Sequence, residues 1–439
     1  MAITEETKSV TQPASSPPPR NLGSVIRALE VDTRLLGMVV ALLVIWVGFH
    51  FLSGGTFLTP RNLWNLSVQT SVVAIMATGM VLVIVSRNID LSVGSMLGVV
   101  AMAMALLQAE ILPQLLGFGH PLIWIISLAA GLLVGALIGL LQGFIVAYAG
   151  VPAFIVTLGG LLVWRGAAWA SASGRTIAPM DTTFQLLGGG SRGTIGGTAS
   201  WVVGVVACAG IIYILISGRR QKLRFGFKAR PIWAEVTIGS IGCGAVLLAI
   251  WFLNRYYMPV NVARAYAEAN GIPWPDEGLN IPLGIAIPVL IALGVALVMT
   301  FVANRRRFGR YVFAIGGNPE AAALGGIKTR RTTLMTFVLM GLLVGVAAAV
   351  QVARLNAATS GLGTLSELYV IAAAVIGGTS LSGGIGTIPG AVLGALVMQS
   401  LQSGMVLLGV DAPLQDIVVG IVLVAAVTVD VYYRRRAER

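Results

Sequence analysis

The sequence predicts an all-α polytopic membrane protein with about twelve transmembrane helices. Composition is the first reason: 56% of residues are hydrophobic, only 10% are charged, and the mean hydropathy is +0.89. A soluble domain carries about 25% charged residues. Second, many apolar runs approach or exceed the roughly 20 residues that a helix needs to cross a bilayer. Third, the 29 lysines and arginines cluster between those runs. The net charge of +12 therefore marks topology and lipid-headgroup contact, and does not imply nucleic-acid binding.

Residues 1–33 lack the apolar core and small-residue cleavage site of a signal peptide. Ser, Pro and Thr dominate positions 9–19, so a disordered cytoplasmic tail is expected. A transmembrane body follows over 34–432, and a basic cytoplasmic tail over 433–439. Apolar runs predict spans at about 35–52, 64–86, 91–109, 122–148, 152–172, 200–218, 235–253, 281–303, 333–353, 366–381, 386–409 and 413–431. Span 366–381 is short, and Gly377-Gly378 interrupts its far end.

Charge asymmetry orients the chain. Arg20, Arg27 and Arg34 place the N-terminus inside. Threading from there puts the basic loops 219–230 and 305–331 inside and the acidic loop 265–280 outside. The tail RRRAER also belongs inside, which requires an even number of crossings. Twelve spans satisfy this if 366–381 crosses; if it dips and returns, the tail falls on the wrong face.

Two segments break the apolar pattern in comparable ways: SRNIDLSVGSMLGVVAM (86–102) and GGTSLSGGIGTIPGAVLGALVM (377–398). Paired interruptions of this kind suggest an internal repeat with short broken or re-entrant segments near a substrate path. Two ordinary turns between spans would give the same pattern.

Catalytic chemistry finds little support. None of Lys8, Lys222, Lys228 and Lys328 sits in the phosphate-cradling pattern GxxxxGK[ST]. Cys208 and Cys243 lie within apolar runs and read as packing residues; His50 and His120 lack ligand-like neighbours. No nucleophile–base or His/Asp/Glu cluster stands out. An ion-coupled carrier would keep ionisable groups at membrane depth. Arg165 is the one deeply placed charge, Asp90 lies at a span junction, and Glu367 and Asp416 sit at span ends. A pathway driven by a partner is the expectation.

The segment RRRFGRYVFAIGGNPEAAALGGIKTRR (305–331) is where such a partner would bind. It is basic at both ends around a small-residue helix former with little to bury by itself. Asn318 can cap that helix, Pro319 suits its first turn, and Glu320 suits its positive end. Elsewhere, Asp90 can cap span three, or Asn88, Asp90 and Ser92 can line the path. Arg165 serves either function or pairs with carbonyls. Thr157, Thr379 and Ser380 are path candidates or helix–helix glue.

IDLSVGS (89–95), VPAFIVTLGGLLVWRG (151–166), RFGRYVFAIGGNPEAAALGGI (307–327) and the stretch 353–397 resemble the membrane permeases of bacterial ABC importers for simple sugars. The resemblance spans most of 60–431. A two-span insertion at about 200–280 makes the chain similar to the extended xylose-type members. The resemblance implies a type II-like ABC-permease fold in the bacterial inner membrane, with both termini cytoplasmic. It implies two permease copies, a homodimer, docked on a cytoplasmic ATPase that binds ATP and Mg, with no cofactor held by this chain. A periplasmic binding protein would deliver the sugar. The ATPase-coupling role falls on Gly316, Gly317, Asn318, Glu320, Ala321, Ala322, Leu324, Gly326 and Ile327. The family commonly has Arg-Leu-Ser-Gly where this chain has Ala323-Leu324-Gly325-Gly326, so any contact of that arginine is absent or moved to Lys328 or Arg330. D-xylose is the first cargo expected. Ribose, galactose, a nucleoside, an autoinducer or a branched-chain amino acid would suit the same architecture, and an ion-coupled carrier is the rival class.

Overall fold

The structure, a computed structural model, describes residues 33–227 and 229–437. The expected disordered tail, with Arg20 and Arg27, lies outside the described residues except for Thr33, which opens the first helix; Lys228 and the last two positions also lie outside. Every regular element among the described residues is helical. The main-chain helices are α1 (Thr33–Leu52), α2 (Pro60–Val85), α3 (Val93–Leu116, with a π-turn at Leu107–Ile111), α4 (Leu122–Ala147) and α5 (Ala153–Ala172). Next come α6 (Gly196–Arg224), α7 (Ile232–Asn254), α8 (Val260–Ala269), α9 (Ile287–Arg305), α10 (Arg307–Gly317) and α11 (Pro319–Leu324). The chain ends with α12 (Thr329–Leu355), α13 (Ser366–Ile376), α14 (Ile388–Leu407) and α15 (Ala412–Ala437). In the last the backbone stays helical through residues 433–437 of the expected basic tail.

Ten of the described helices are long and apolar enough to cross a membrane. The expected span 366–381 falls short: α13 has 11 helical residues, about 16 Å at 1.5 Å per residue, or roughly half a hydrocarbon core. α15 runs 26 residues, Ala412–Ala437, and is apolar over Ala412–Thr428. Chain 356–376 nevertheless links the far end of α12 to the break 377–387, near the end of α2. Its non-helical part, 356–365, is held by other elements. The Arg165 guanidinium donates to the carbonyls of Ser360 and Leu362 at 3.2 and 3.1 Å, and Ile177 pairs with Ala358. Irregular backbone at membrane depth persists only where its polar groups are met in this way.

The chain divides into two compact units. One contains Val206–Ala245, the facing parts of α6 and α7, joined by an Arg219–Glu235 ion pair at 3.1 Å. Within it Cys208 and Cys243 remain free thiols, each donating to the other's carbonyl at 3.8–3.9 Å. The other unit holds Thr33–Val205 and the chain from Val246 onward. The expected insertion 200–280 contributes residues to both units.

In the larger unit α2 is the central helix. Every residue from Thr70 to Val85 is buried, among α9, α12, α13 and α14. Thr59 caps its start by accepting from Asn62 N, with Pro60 in the first turn. Around this centre α1, α4 and α5 turn Leu43, Val44, Phe51, Leu133, Leu137, Phe154 and Leu162 outward, as lipid requires. The most extensive helix pair is α4 with α12. Glycines at 131, 135, 139 and 143 recur every fourth residue and face Gly341, Gly345 and Phe337. A Cβ at Gly135 would strike the Gly341 carbonyl, and one at Gly341 would strike that of Gly135. Small residues here let two backbones touch, the packing that substitutes for hydrophobic drive inside a bilayer.

Candidate coupling segment and translocation cavity

The basic segment 305–331 folds as two helices, where one short helix was expected. In α10 Val312, Ile315 and Gly316 turn inward and Arg307, Arg310, Tyr311 and Ala314 outward. The six-residue α11 is capped as its sequence demands: Asn318 Oδ1 accepts from Ala321 N at 3.0 Å, with Pro319 and Glu320 following. It ends in a full Schellman motif, Gly326 N donating to Ala323 O and Ile327 N to Ala322 O, both at 3.0 Å. Gly326 takes φ +81°, a conformation that costs a Cβ-bearing residue about 1 kcal/mol or more.

Of the nine residues expected to couple to an ATPase, six are exposed: Gly317, Asn318, Glu320, Ala321, Leu324 and Gly326. Leu324 is 91% exposed, a large apolar side chain at the tip of a small-residue helix. Ile327 is half-buried. Gly316 and Ala322 are buried within the chain and hold the segment in place. A Cβ at Gly316 would overlap the Val85 carbonyl.

Both broken segments meet this joint. Gly384 N donates to Val85 O at 3.0 Å, and the Arg87 guanidinium donates to the Gly316 and Gly317 carbonyls at 2.7 Å each. The end of α2, the second break and the start of α11 therefore form one hydrogen-bonded cluster.

The seven expected path residues are placed otherwise. Asp90 and Ser92 are buried. Asp90 does not cap α3; its Oδ1 accepts from Ser92 N and Ser92 Oγ at 2.9 and 2.6 Å, closing the turn before the helix. Burial pushes the Asp90 carboxyl above the usual carboxylate range, and the Ser92 hydrogen bonds oppose this. Ser92 also shares hydrogen bonds with Gln142, and Asn88 donates to Ser86. Thr157 donates back to Ala153 O and toward Ile89 O. Arg165 holds the 360–362 carbonyls. Ser380 bonds Ser382, and Thr379 is buried with its hydroxyl unpartnered. None of the seven lines the cavity described next.

That cavity, about 350 Å³, lies among α2, α12, α13 and α14. Such a volume falls in the roughly 300–1,000 Å³ range of small-molecule sites. Its polar wall is Asn62, Asn65 and Gln69 of α2, Gln351 and Arg354 of α12, and Gln399, Gln402 and Ser403 of α14. Some are already linked: Gln399 Nε2 donates to Gln402 Oε1 at 2.6 Å and Ser403 Oγ to Asn62 Oδ1 at 3.2 Å. Arg354 Nε is buried without a partner. Among the described residues the lining contains no carboxylate. These residues lie far along their helices from the Arg87–Gly316 joint: Gln69 is sixteen residues before Val85, about 24 Å along α2. A larger hollow of about 1280 Å³, lined from within 191–202 and 254–282, touches none of these four helices.

The signal for this wall was present in the sequence. Asn62, Asn65 and Gln69 recur at i, i+3, i+7, and Gln399, Gln402 and Ser403 at i, i+3, i+4, so each set forms a polar stripe on an otherwise apolar helix.

Residues 62–427 match the family described as branched-chain amino acid transport system, permease component. The chain belongs to that permease family. It is 36% identical over 408 residues to the xylose transport system permease protein XylH of Escherichia coli (strain K12), covering 93% of this chain and 94% of the relative. It is 35% identical over 407 residues to the XylH of Haemophilus influenzae, covering 93% and 98%. To the ribose import permease protein RbsC of Escherichia coli (strain K12) it is 33% identical over 393 residues, covering 89% and 92%. No solved structure gives a significant match. Sugar-importer permeases thus match almost the whole chain, consistent with a multi-pass protein of the bacterial inner membrane.

Proposed function

We propose that the chain is the permease subunit of an ATP-driven importer of a neutral monosaccharide, with D-xylose as its cargo. It works as one of two copies, receives sugar from a periplasmic binding protein, and is driven by a cytoplasmic ATPase docked on α11. ATP and Mg are bound by that partner. Under this reading the coupling joint and both termini face the cytoplasm, and the amide-lined cavity faces outward.

The observation that carries the reading is the chemistry of the cavity wall. Carboxamides both donate and accept, which matches hydroxyls presented in several directions. A zwitterionic amino acid would need a counter-charge for its ammonium, and the wall offers Arg354 but no carboxylate. This favours a polyol over the branched-chain amino acid of the family description. The xylose assignment itself leans on the two XylH relatives.

Sugar moves between walls of this kind by exchanging hydrogen bonds with water for hydrogen bonds with amides, at little net gain. A conduit fed by a binding protein needs no tighter grip. Replacing Gln69 and Gln399 together by leucine removes two such partners, at about 1 kcal/mol each. Uptake of labelled D-xylose by the complete complex in proteoliposomes should fall roughly tenfold or more. Unlabelled D-xylose should compete with the label more strongly than D-ribose, D-allose or L-leucine. Full uptake by the double variant would count against the cavity as the route, and stronger competition by L-leucine would move the cargo to amino acids.

A further inference from the structure

Arg87 stands in an unusual place. Helix α2 ends in a Schellman motif: Arg87 N donates to Ile84 O at 2.9 Å and Asn88 N to Val83 O at 3.1 Å. The residue after the cap in that motif is left-handed and is usually glycine. Here it is an arginine with φ +63°. A long side chain on a backbone that disfavours any side chain points to a use for it. The use is visible: Nε donates to Gly316 O and a terminal nitrogen to Gly317 O, both at 2.7 Å. A planar guanidinium holding two successive carbonyls fixes direction as well as distance. The stem also runs against Gly383, where a Cβ would come within 2.5 Å of Arg87 Cγ.

What Arg87 ties together gives the bond its meaning. Gly317 immediately precedes the Asn318 cap of α11. On the other side, α2 is buried without a gap from Thr70 to Val85 and carries Asn62, Asn65 and Gln69 of the cavity wall at its far end. A helix packed on all sides moves as a unit.

We propose that Arg87 is a positioning residue that locks α2 to the coupling segment, so that displacement of α11 by its partner is delivered along α2 to the cavity wall. This rests on the function proposed above, and the coupling and the cavity would be two ends of one rigid element. Arg87 touches neither sugar nor nucleotide.

The test uses the complete complex of chain, ATPase and binding protein in proteoliposomes, and reads sugar moved per ATP hydrolysed. Arg87→Gly relaxes the left-handed backbone while removing the guanidinium, so it spares the fold. It should still co-purify with the ATPase, with sugar moved per ATP reduced at least fivefold. Arg87→Lys, which keeps a donor and a charge, should recover part of that ratio. A purely structural role would lower the amount of complex and leave the ratio alone. An unchanged ratio in Arg87→Gly overturns the proposal, as does loss of ATPase co-purification, which would make Arg87 part of the docking surface instead. If the unaltered complex shows no ATP-driven sugar uptake, the function itself fails and the proposal with it; normal uptake in both proteins sinks the proposal alone.

Discussion

Gly135→Leu is expected to abolish recovery of folded protein from detergent extracts, while Gly131→Ala leaves it near normal. The two glycines lie one turn apart on the same face of α4, and what opposes each one separates them. A Cβ at Gly135 meets the Gly341 carbonyl, part of a backbone fixed by its own helix. Neither helix can yield without moving away along its length. At Gly131 the atoms nearest an added Cβ belong to the Met104 side chain, a flexible thioether and not a fixed backbone. Overpacking in a close-packed interior costs about 1–3 kcal/mol, and more where backbone must shift. The α4–α12 contact is the largest in the bundle, and α12 also packs on α2, so separating it disrupts the cavity wall as well. Size-exclusion profiles and thermal aggregation midpoints of the two variants would test this.

Leu324→Asp should leave the fold intact and cut ATP-driven uptake by roughly tenfold to a hundredfold. At 91% exposure, Leu324 contributes almost nothing to the chain's own packing. Burying a leucine in a partner's cleft is worth about 1.5–3 kcal/mol, which corresponds to that range of affinity. An aspartate there would also leave a charge to desolvate. Ala323→Ser, on the same exposed helix, should change uptake little, because α11 is closed by Gly326 and its backbone hydrogen bonds and not by that side chain. Pull-down of the ATPase by each variant provides the measurement.

Most of the architecture was legible because bilayer helices advertise themselves by length and apolarity. The helix ends were legible where capping chemistry is local: Asn318-Pro319-Glu320 fixes the start of α11 from sequence alone. Span 366–381 was less legible, because only Ser366–Ile376 is helical and the irregular stretch before it is held by Arg165 from α5. Hydropathy cannot encode a hydrogen bond between residues 195 and 197 positions apart. Asn88, Asp90, Ser92, Thr379 and Ser380 were singled out as path residues because polar groups near glycine breaks are conspicuous. Their partners are mostly local, such as Ser92 N for Asp90 and Ser86 for Asn88, while Ser92 also reaches Gln142 of α4 and Thr379 has none. The amides of α2 and α14 were quieter: neutral, and scattered three or four residues apart in apolar helices. Only the fold brings the two stripes face to face. Arg87 was invisible for a different reason, since neither its left-handed backbone nor its reach to Gly316 and Gly317 has a local sequence signature.

The central claim is that this chain forms a route and takes its energy from a partner. The most direct measurement loads proteoliposomes containing the chain, its ATPase and its binding protein with ATP, then follows labelled D-xylose in the presence of a protonophore. The account predicts transport that continues with the protonophore and stops when ATP is omitted or the ATPase cannot hydrolyse it. Transport that collapses with the protonophore and ignores ATP would contradict it. The engine would then lie inside this chain, with Glu367, buried at the start of α13 with Oε2 unpartnered, the first residue to suspect.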